Sequence, residues 1–359
     1  MAPYYVLIIT PVIISLVYQW YCEGHNRQNK KNYAIVTFLF LYFLLLALRD
    51  SSVGVDTPQY FWLLEDIGER DWTSIREYYP DTELGFILLI KLVTILGGNE
   101  QLFLIAAAAI SVIPLAVLYW EESENGLISM ALFLVTPVYI MLFSGIRQGM
   151  AIGMGAVAFR FARDRKLLPF LISVVVAILF HSSAFILVIL YPLCRVRIRL
   201  NHMAIVLPLI AVVYYFNDAI YLAVVSVFGE SLSENYMIIT ETNATTFILL
   251  LALLLAMAFL LTYGKELDST TIMLRNLLIV SLILQMFALV NPIAMRMNYY
   301  FLVFMPLLIP RVINRSSIKD GRFVLLLQLA VFGFFMVYHV QKMYTTDSLG
   351  IYPYMFFWS

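Results

Sequence analysis

The chain has 359 residues, 62% of them hydrophobic and 13% charged, with a formal net charge of zero. Soluble domains run at about half apolar and about a quarter charged, so this balance excludes an ordinary globular protein, and the absence of excess positive charge argues against a nucleic-acid partner. Apolar runs recur from end to end without the alternation in roughly ten-residue segments that a transmembrane barrel needs, so the sequence predicts an all-α, polytopic integral membrane protein.

In chain order the apolar segments lie at 4–22, 33–48, 84–97, 101–120, 127–144, 146–162, 167–180, 182–194, 202–217, 244–263, 272–291, 299–313 and 323–341. They predict about 11–13 helical segments, short or re-entrant ones included, in a single transmembrane domain over 1–359. The first has no basic region ahead of it and reads as a retained helix, not a cleaved signal. Cys22 and Cys194 form no metal or redox motif and read as small apolar fillers.

Two polar-rich stretches, 49–83 and 217–243, mix charges with aromatics such as Trp62, Trp72, Tyr78, Tyr221, Phe228 and Tyr236. Flexible tails lack such aromatics, so both are expected to be ordered loops lying on the membrane surface. Basic clusters at 25–32, 160–166, 195–199 and 311–322 place those segments in the cytoplasm. Both loops, and the tail after about 342, then face outward. Four apolar segments between Asp50 and Arg163 leave one crossing too many for that orientation. Residues 85–98, short and holding Lys91, are the expected re-entrant segment; the alternative makes 167–194 one long crossing.

As one helix, 167–194 would span about 42 Å, well over a hydrocarbon core of about 30 Å. Two arms of 14 residues would each reach about 21 Å. His181-Ser182-Ser183 sits at the midpoint, where the arms would turn and present a histidine and two hydroxyls to a protein-lined cavity.

Several polar groups need an explanation. Arg147, in FSGIRQGMAIGMG, lies between two apolar runs with Gln148 beside it. It is either a snorkelling interfacial arginine or a functional group. The small residues Gly149, Ala151, Gly153 and Gly155 let this helix approach a neighbour closely or admit a lipid chain. His181 is either a satisfied polar residue of the bundle or a proton acceptor near neutral pH. Arg296, with Tyr299 and Tyr300 following it, is either an outer anchor or a ligand contact, and Asp56 and Glu83 are either solvated loop carboxylates or site residues. Under the expected topology Arg49, Arg147 and Arg296 all lie on the outer face, against the positive-inside bias. Guanidinium forks suit phosphate oxygens, and a carboxylate or the histidine suits deprotonation of a sugar hydroxyl. No paired aspartates in a suitable context and no histidine-rich cluster are present, so neither a metal nor another cofactor is expected.

The ordered set LRDSSVGVDTPQY (48–60), ELGF (83–86), SGIRQGMA (144–151), FHSSA (180–184) and RMNYYF (296–301) resembles the EpsG family. Its members are bacterial membrane proteins similar to Wzy-type polysaccharide polymerases. Val55 stands where a threonine or similar small polar residue is expected before the aspartate. The resemblance implies a multi-helix glycosyltransferase fold of the C type in the bacterial inner membrane. It also implies polymerisation of undecaprenyl-pyrophosphate-linked oligosaccharide repeat units at the periplasmic face. Carried over by position, Asp56, His181 and Arg147 become the catalytic candidates. Arg49, Arg296, Glu83, Gln148, Tyr299 and Tyr300 become candidates for holding pyrophosphate or sugar. The implied partners are the lipid-linked oligosaccharide, the bilayer and a chain-length regulator protein. An O-antigen ligase using the same donor, and a flippase of lipid-linked sugars, are the alternatives.

Overall fold

A computed structural model describes residues 2–24, 33–228, 244–291, 294–318, 320–345 and 350–359. The basic stretch 25–32 and residues 229–243, including Tyr236, lie outside the described residues. What is described is helical, with eighteen α-helices and, in place of strands, one isolated bridge between Arg49 and Phe356. An apolar chain has to satisfy its own backbone groups, and helices do so within each segment. Among the described residues two helices, Glu100–Glu122 and Ser269–Leu289, are long and apolar enough to cross a membrane. They become four if two bent pairs, Gly126–Leu134 with Pro137–Ser144 (61°) and Leu200–Tyr215 with Asn217–Val224 (77°), each count as one span. Shorter apolar helices make up much of the remainder, as expected of a polytopic, membrane-embedded protein.

The chain divides into two compact units, 1–188 with 329–359, and 189–328. In the first, α1 (Ala2–Gly24) and α2 (Tyr33–Ala47) lead into α3 (Thr57–Glu69), α4 (Trp72–Tyr78) and α5 (Leu84–Ile95). The stretch 49–83 is thus ordered but largely helical, not a loop. Asp71 caps α4 by accepting from the Ser74 amide at 2.8 Å, and Asp66 takes both Arg70 (2.6 Å) and Tyr79, which ties the two helices together. Next come α6 (Glu100–Glu122), α7 (Gly126–Leu134), α8 (Pro137–Ser144), α9 (Ile146–Arg163) and α10 (Leu167–Phe180). Asn99 and Asn125 start α6 and α7 by accepting from the Leu102 and Ile128 amides, each at 3.2 Å.

The centre of this unit is aromatic. Phe38, Tyr42, Phe133, Tyr139 and Phe143 pack ring against ring, and the Tyr42 hydroxyl donates to the Tyr139 carbonyl at 2.6 Å. Helix α9 lies directly on α6, where a side chain at Gly153 would collide with the Ile110 carbonyl, so the small residues serve close helix contact. At the far ends of these two helices Arg160 meets Glu121 (2.6 Å) and Arg163 meets Glu122 and Asp164. Acidic groups therefore neutralise part of the 160–166 cluster that sets the expected orientation.

In the second unit α11 (Leu190–Leu193) and a 3-10 turn lead into α12 (Met203–Tyr215), α13 (Asn217–Phe228) follows, and α14 (Thr245–Leu260) and α15 (Ser269–Met286) pack together. Here α13 is an apolar helix where the sequence suggests the start of an outward loop. Asp268 caps α15 and also takes Arg311 (3.1 Å) and Arg315 (2.8 Å) from α17 (Met305–Asn314). Arg275, absent from the sequence-based candidates, is buried beneath the Phe259 ring (4.0 Å) and donates to Thr262 at 3.0 Å.

Candidate active site

Helix α3 begins at Asp56, whose backbone N–H donates to the Ser144 hydroxyl at 3.2 Å. That bond joins the 49–60 stretch to the end of α8, three residues before Arg147. Gly54 makes the approach possible. Its backbone has φ +94°, which L side chains rarely adopt, and an added Cβ would strike the Phe143 carbonyl. Asp56 itself is half-buried, and its side chain does not cap the helix.

Tyr60, one turn on, is buried and lies within electrostatic reach of Asp56, Arg147 and Arg49. Sequence reading passed over it. The i, i+4 spacing from Asp56 on a helix was the available signal, concealed while 49–83 read as a loop.

The strongest assembly centres on Glu83, just ahead of α5. One carboxylate oxygen accepts from Arg147 at 2.7 Å. The other lies 3.2 Å from His181 Nδ1 and accepts the Ser182 amide at 3.0 Å. Three motifs separated by up to 99 positions thus meet at a single carboxylate. Burial opposes ionisation of Glu83, but His181, the Arg147 charge and the Ser182 amide outweigh it and hold the carboxyl at about 2. An ionised carboxylate only accepts, so His181 Nδ1 carries a proton toward it, and in the neutral ring Nε2 is then the acceptor. This carboxylate–imidazole arrangement suits a general base. His181 has left the helix (φ −157°, ψ 119°) and the chain continues as a 3-10 turn over Ser182–Ile189. The break expected at this histidine is therefore present.

Gly85 fixes the separation of the two partners. Helices α5 and α10 approach so closely there that an added Cβ would lie 2.6 Å from the Leu179 carbonyl. Gly85→Val should push Glu83 away from His181, lower thermal stability by about 1–3 kcal/mol and reduce activity. A thermal-shift measurement in detergent, alongside an activity assay, checks both effects.

Arg49 is buried and makes no ion pair with a carboxylate among the described residues. Its NH1 donates to Leu46 at 3.3 Å, the Phe143 ring lies 5.9 Å away, and Nε has no partner. Burial pulls the guanidinium down to about 10, which still leaves it charged at neutral pH. The C-terminal segment holds residues 48–54 in place: the Asp50 and Gly54 amides donate to the Met355 (3.0 Å) and Gly350 (2.8 Å) carbonyls, and the Phe357 amide donates to the Leu48 carbonyl (3.1 Å).

Gln148 is buried within α9. Arg296, Tyr299 and Tyr300 belong to the second unit, on α16 (Met295–Leu302). There Arg296 is exposed, Tyr299 is half-buried one turn away, and Tyr300 is buried in the core. Asn298 anchors that helix to α15 by donating to Gln285 at 2.9 Å. The first unit therefore brings Glu83, Arg147 and His181 into contact, with Tyr60 within electrostatic reach of Arg147, Asp56 and Arg49. Among the described residues no group of three or more His, Cys, Asp or Glu side chains is arranged to hold a metal ion.

Comparison with curated proteins and with solved structures gave no match. The model of the EpsG family, a Wzy-like polymerase-type family in polysaccharide biosynthesis, matches residues 5–356, nearly the whole chain. The chain belongs to the EpsG family.

Proposed function

We propose that this protein is a glycosyltransferase that joins undecaprenyl-pyrophosphate-linked oligosaccharide repeat units at the periplasmic face of the inner membrane. The observation that carries the reading is the convergence of His181 and Arg147 on the ionised Glu83 in a member of this family. His181 Nε2 takes the proton from a hydroxyl of the acceptor sugar. That oxygen bonds to the anomeric carbon of the donor's first sugar, and the bond from that carbon to the pyrophosphate oxygen breaks. Undecaprenyl pyrophosphate leaves with the electron pair. Arg147, partly exposed beside Glu83, stabilises charge developing on the leaving group. Arg296, exposed on the second unit, is retained as a phosphate-binding candidate by its motif RMNYYF. A chain-length regulator protein is the expected partner.

Arg147→Ala and Arg296→Ala should each leave the protein in the membrane and abolish long chains, with single repeat units persisting on the lipid. Wild-type ladders from both would overturn the assignment. The direct test is purified protein in liposomes with defined lipid-linked repeat units, with and without a chelator, read on gels. New glycosidic bonds support the polymerase, transfer to lipid A-core would identify a ligase, and movement without bonds would identify a flippase.

A further inference from the structure

Arg49 is 2% exposed, so a substrate phosphate could not seat on its guanidinium fork. Its partners are internal. Nη1 donates to the Leu46 carbonyl, the Phe143 ring lies 5.9 Å away, and Tyr42, Tyr354, Tyr4 and Tyr60 are within electrostatic reach. Three of these hydroxyls donate their protons to carbonyls: Tyr42 to Tyr139 (2.6 Å), Tyr354 to Leu45 (2.9 Å) and Tyr4 to Ile351 (2.7 Å). Their oxygen lone pairs remain available to the cation.

The C-terminal segment 350–359 takes part in most of these contacts. It supplies Tyr354, the Ile351 carbonyl, the bridge between Phe356 and Arg49, and the partners of the Asp50, Gly54 and Leu48 backbones. Ile351 and Tyr354 are buried, so the segment is packed into the unit and not laid over it. From here the contacts lead to the site. Gly54 sits against the Phe143 carbonyl and the Asp56 amide reaches Ser144 at 3.2 Å, which fixes the start of α3 to the end of α8. Tyr60 follows one turn along α3, and Arg147 follows three residues after Ser144.

We propose that Arg49 and the C-terminal segment 350–359 form a clasp that positions the start of α3, and through it Tyr60 and Arg147. Arg49 is then a positioning residue and not a substrate contact. The consequence for catalysis rests on the polymerase reading; the clasp itself does not.

The test compares wild type in nanodiscs with Tyr354→Phe, Arg49→Lys and a chain ending at Leu349, by hydrogen exchange read by mass spectrometry. The shortened chain removes the acceptors of the Asp50 and Gly54 amides directly, so the informative amides are those of Asp56 and Tyr60. Their acceptors, the Ser144 hydroxyl and the Asp56 carbonyl, are present in every variant. Exchange at both should rise about tenfold in Tyr354→Phe and Arg49→Lys and further in the shortened chain, with the amides of α6 unchanged. Tyr354→Phe keeps its ring in the core, so the test stands even where the shortened chain fails to fold. In liposomes with defined lipid-linked repeat units the same variants should lose about tenfold or more in kcat with KM within about twofold, because the substrate contacts persist and their placement is lost. Unchanged exchange at Asp56 and Tyr60 overturns the clasp, and raised exchange with unchanged kcat overturns its positioning role. Raised KM without raised exchange in Arg49→Lys would return Arg49 to the substrate and also overturn the proposal. Failure of the polymerase reading shows separately, as missing glycosidic bonds from the wild type, while exchange still decides the clasp.

Discussion

Replacing His181 with glutamine should leave the protein in the membrane at its normal level and remove long polysaccharide chains. Glutamine keeps a polar side chain of similar reach but cannot take a proton, and loss of a general base costs about 10²–10⁴ in rate. The backbone at His181 is extended, a conformation any residue adopts, so the substitution introduces no strain. Asp56→Asn is the informative comparison. The anchoring contact of Asp56 is its backbone N–H on Ser144, which asparagine retains, so this variant should keep far more activity than His181→Gln. The two variants therefore decide which group takes the proton, a choice open from the residues alone. Chain ladders from a deletion host complemented with each variant provide the readout. The reverse order of activity would assign the proton to Asp56.

The second large effect is expected at Glu83. Glu83→Gln removes the charge that compensates Arg147 and the acceptor that fixes the His181 tautomer, in one change of nearly constant shape. Breaking a fully buried pair costs about 3–5 kcal/mol, and the partial exposure of Arg147 reduces this to about 1–3 kcal/mol. Activity should fall about 100-fold or more, because the imidazole loses the carboxylate that orients it. The pH dependence has a definite sign. A carboxyl depressed from 4.5 to about 2 contributes its full stabilisation above 4.5 and loses it as pH falls through about 2. The part of the melting-temperature difference between wild type and Glu83→Gln that comes from the depressed carboxyl should therefore shrink as pH falls below about 4.5.

The helices were readable because their cause is local. Runs such as YAIVTFLFLYFLLLA and SVVVAILF satisfy their backbones internally, and at α6, α7 and α15 the caps Asn99, Asn125 and Asp268 mark the start. The break at His181 was readable for a related reason, since one helix over 167–194 would overshoot the hydrocarbon core. Residues 49–83 and 217–228 were harder. Charges and aromatics spaced along an amphipathic helix look like surface loop when each element is short, as α3 and α4 are.

The site was only partly legible. Its members could be listed, because arginine, histidine and carboxylates in an apolar chain demand a reason. Their grouping could not be seen. Residue type and motif order nominate Arg49, Asp56, Glu83, Arg147 and His181, and local apolar pattern sets the helices that carry them. Only the tertiary structure made Glu83 the common partner of Arg147 and His181, brought Tyr60 into reach of Arg147 and left Arg49 buried without a carboxylate partner among the described residues. The physical reason is that helix formation depends on neighbours within a few residues. Pairing across α3, α5, α9 and α10 depends on how closely backbones pack, and that was decided at contacts such as Gly85 on the Leu179 carbonyl.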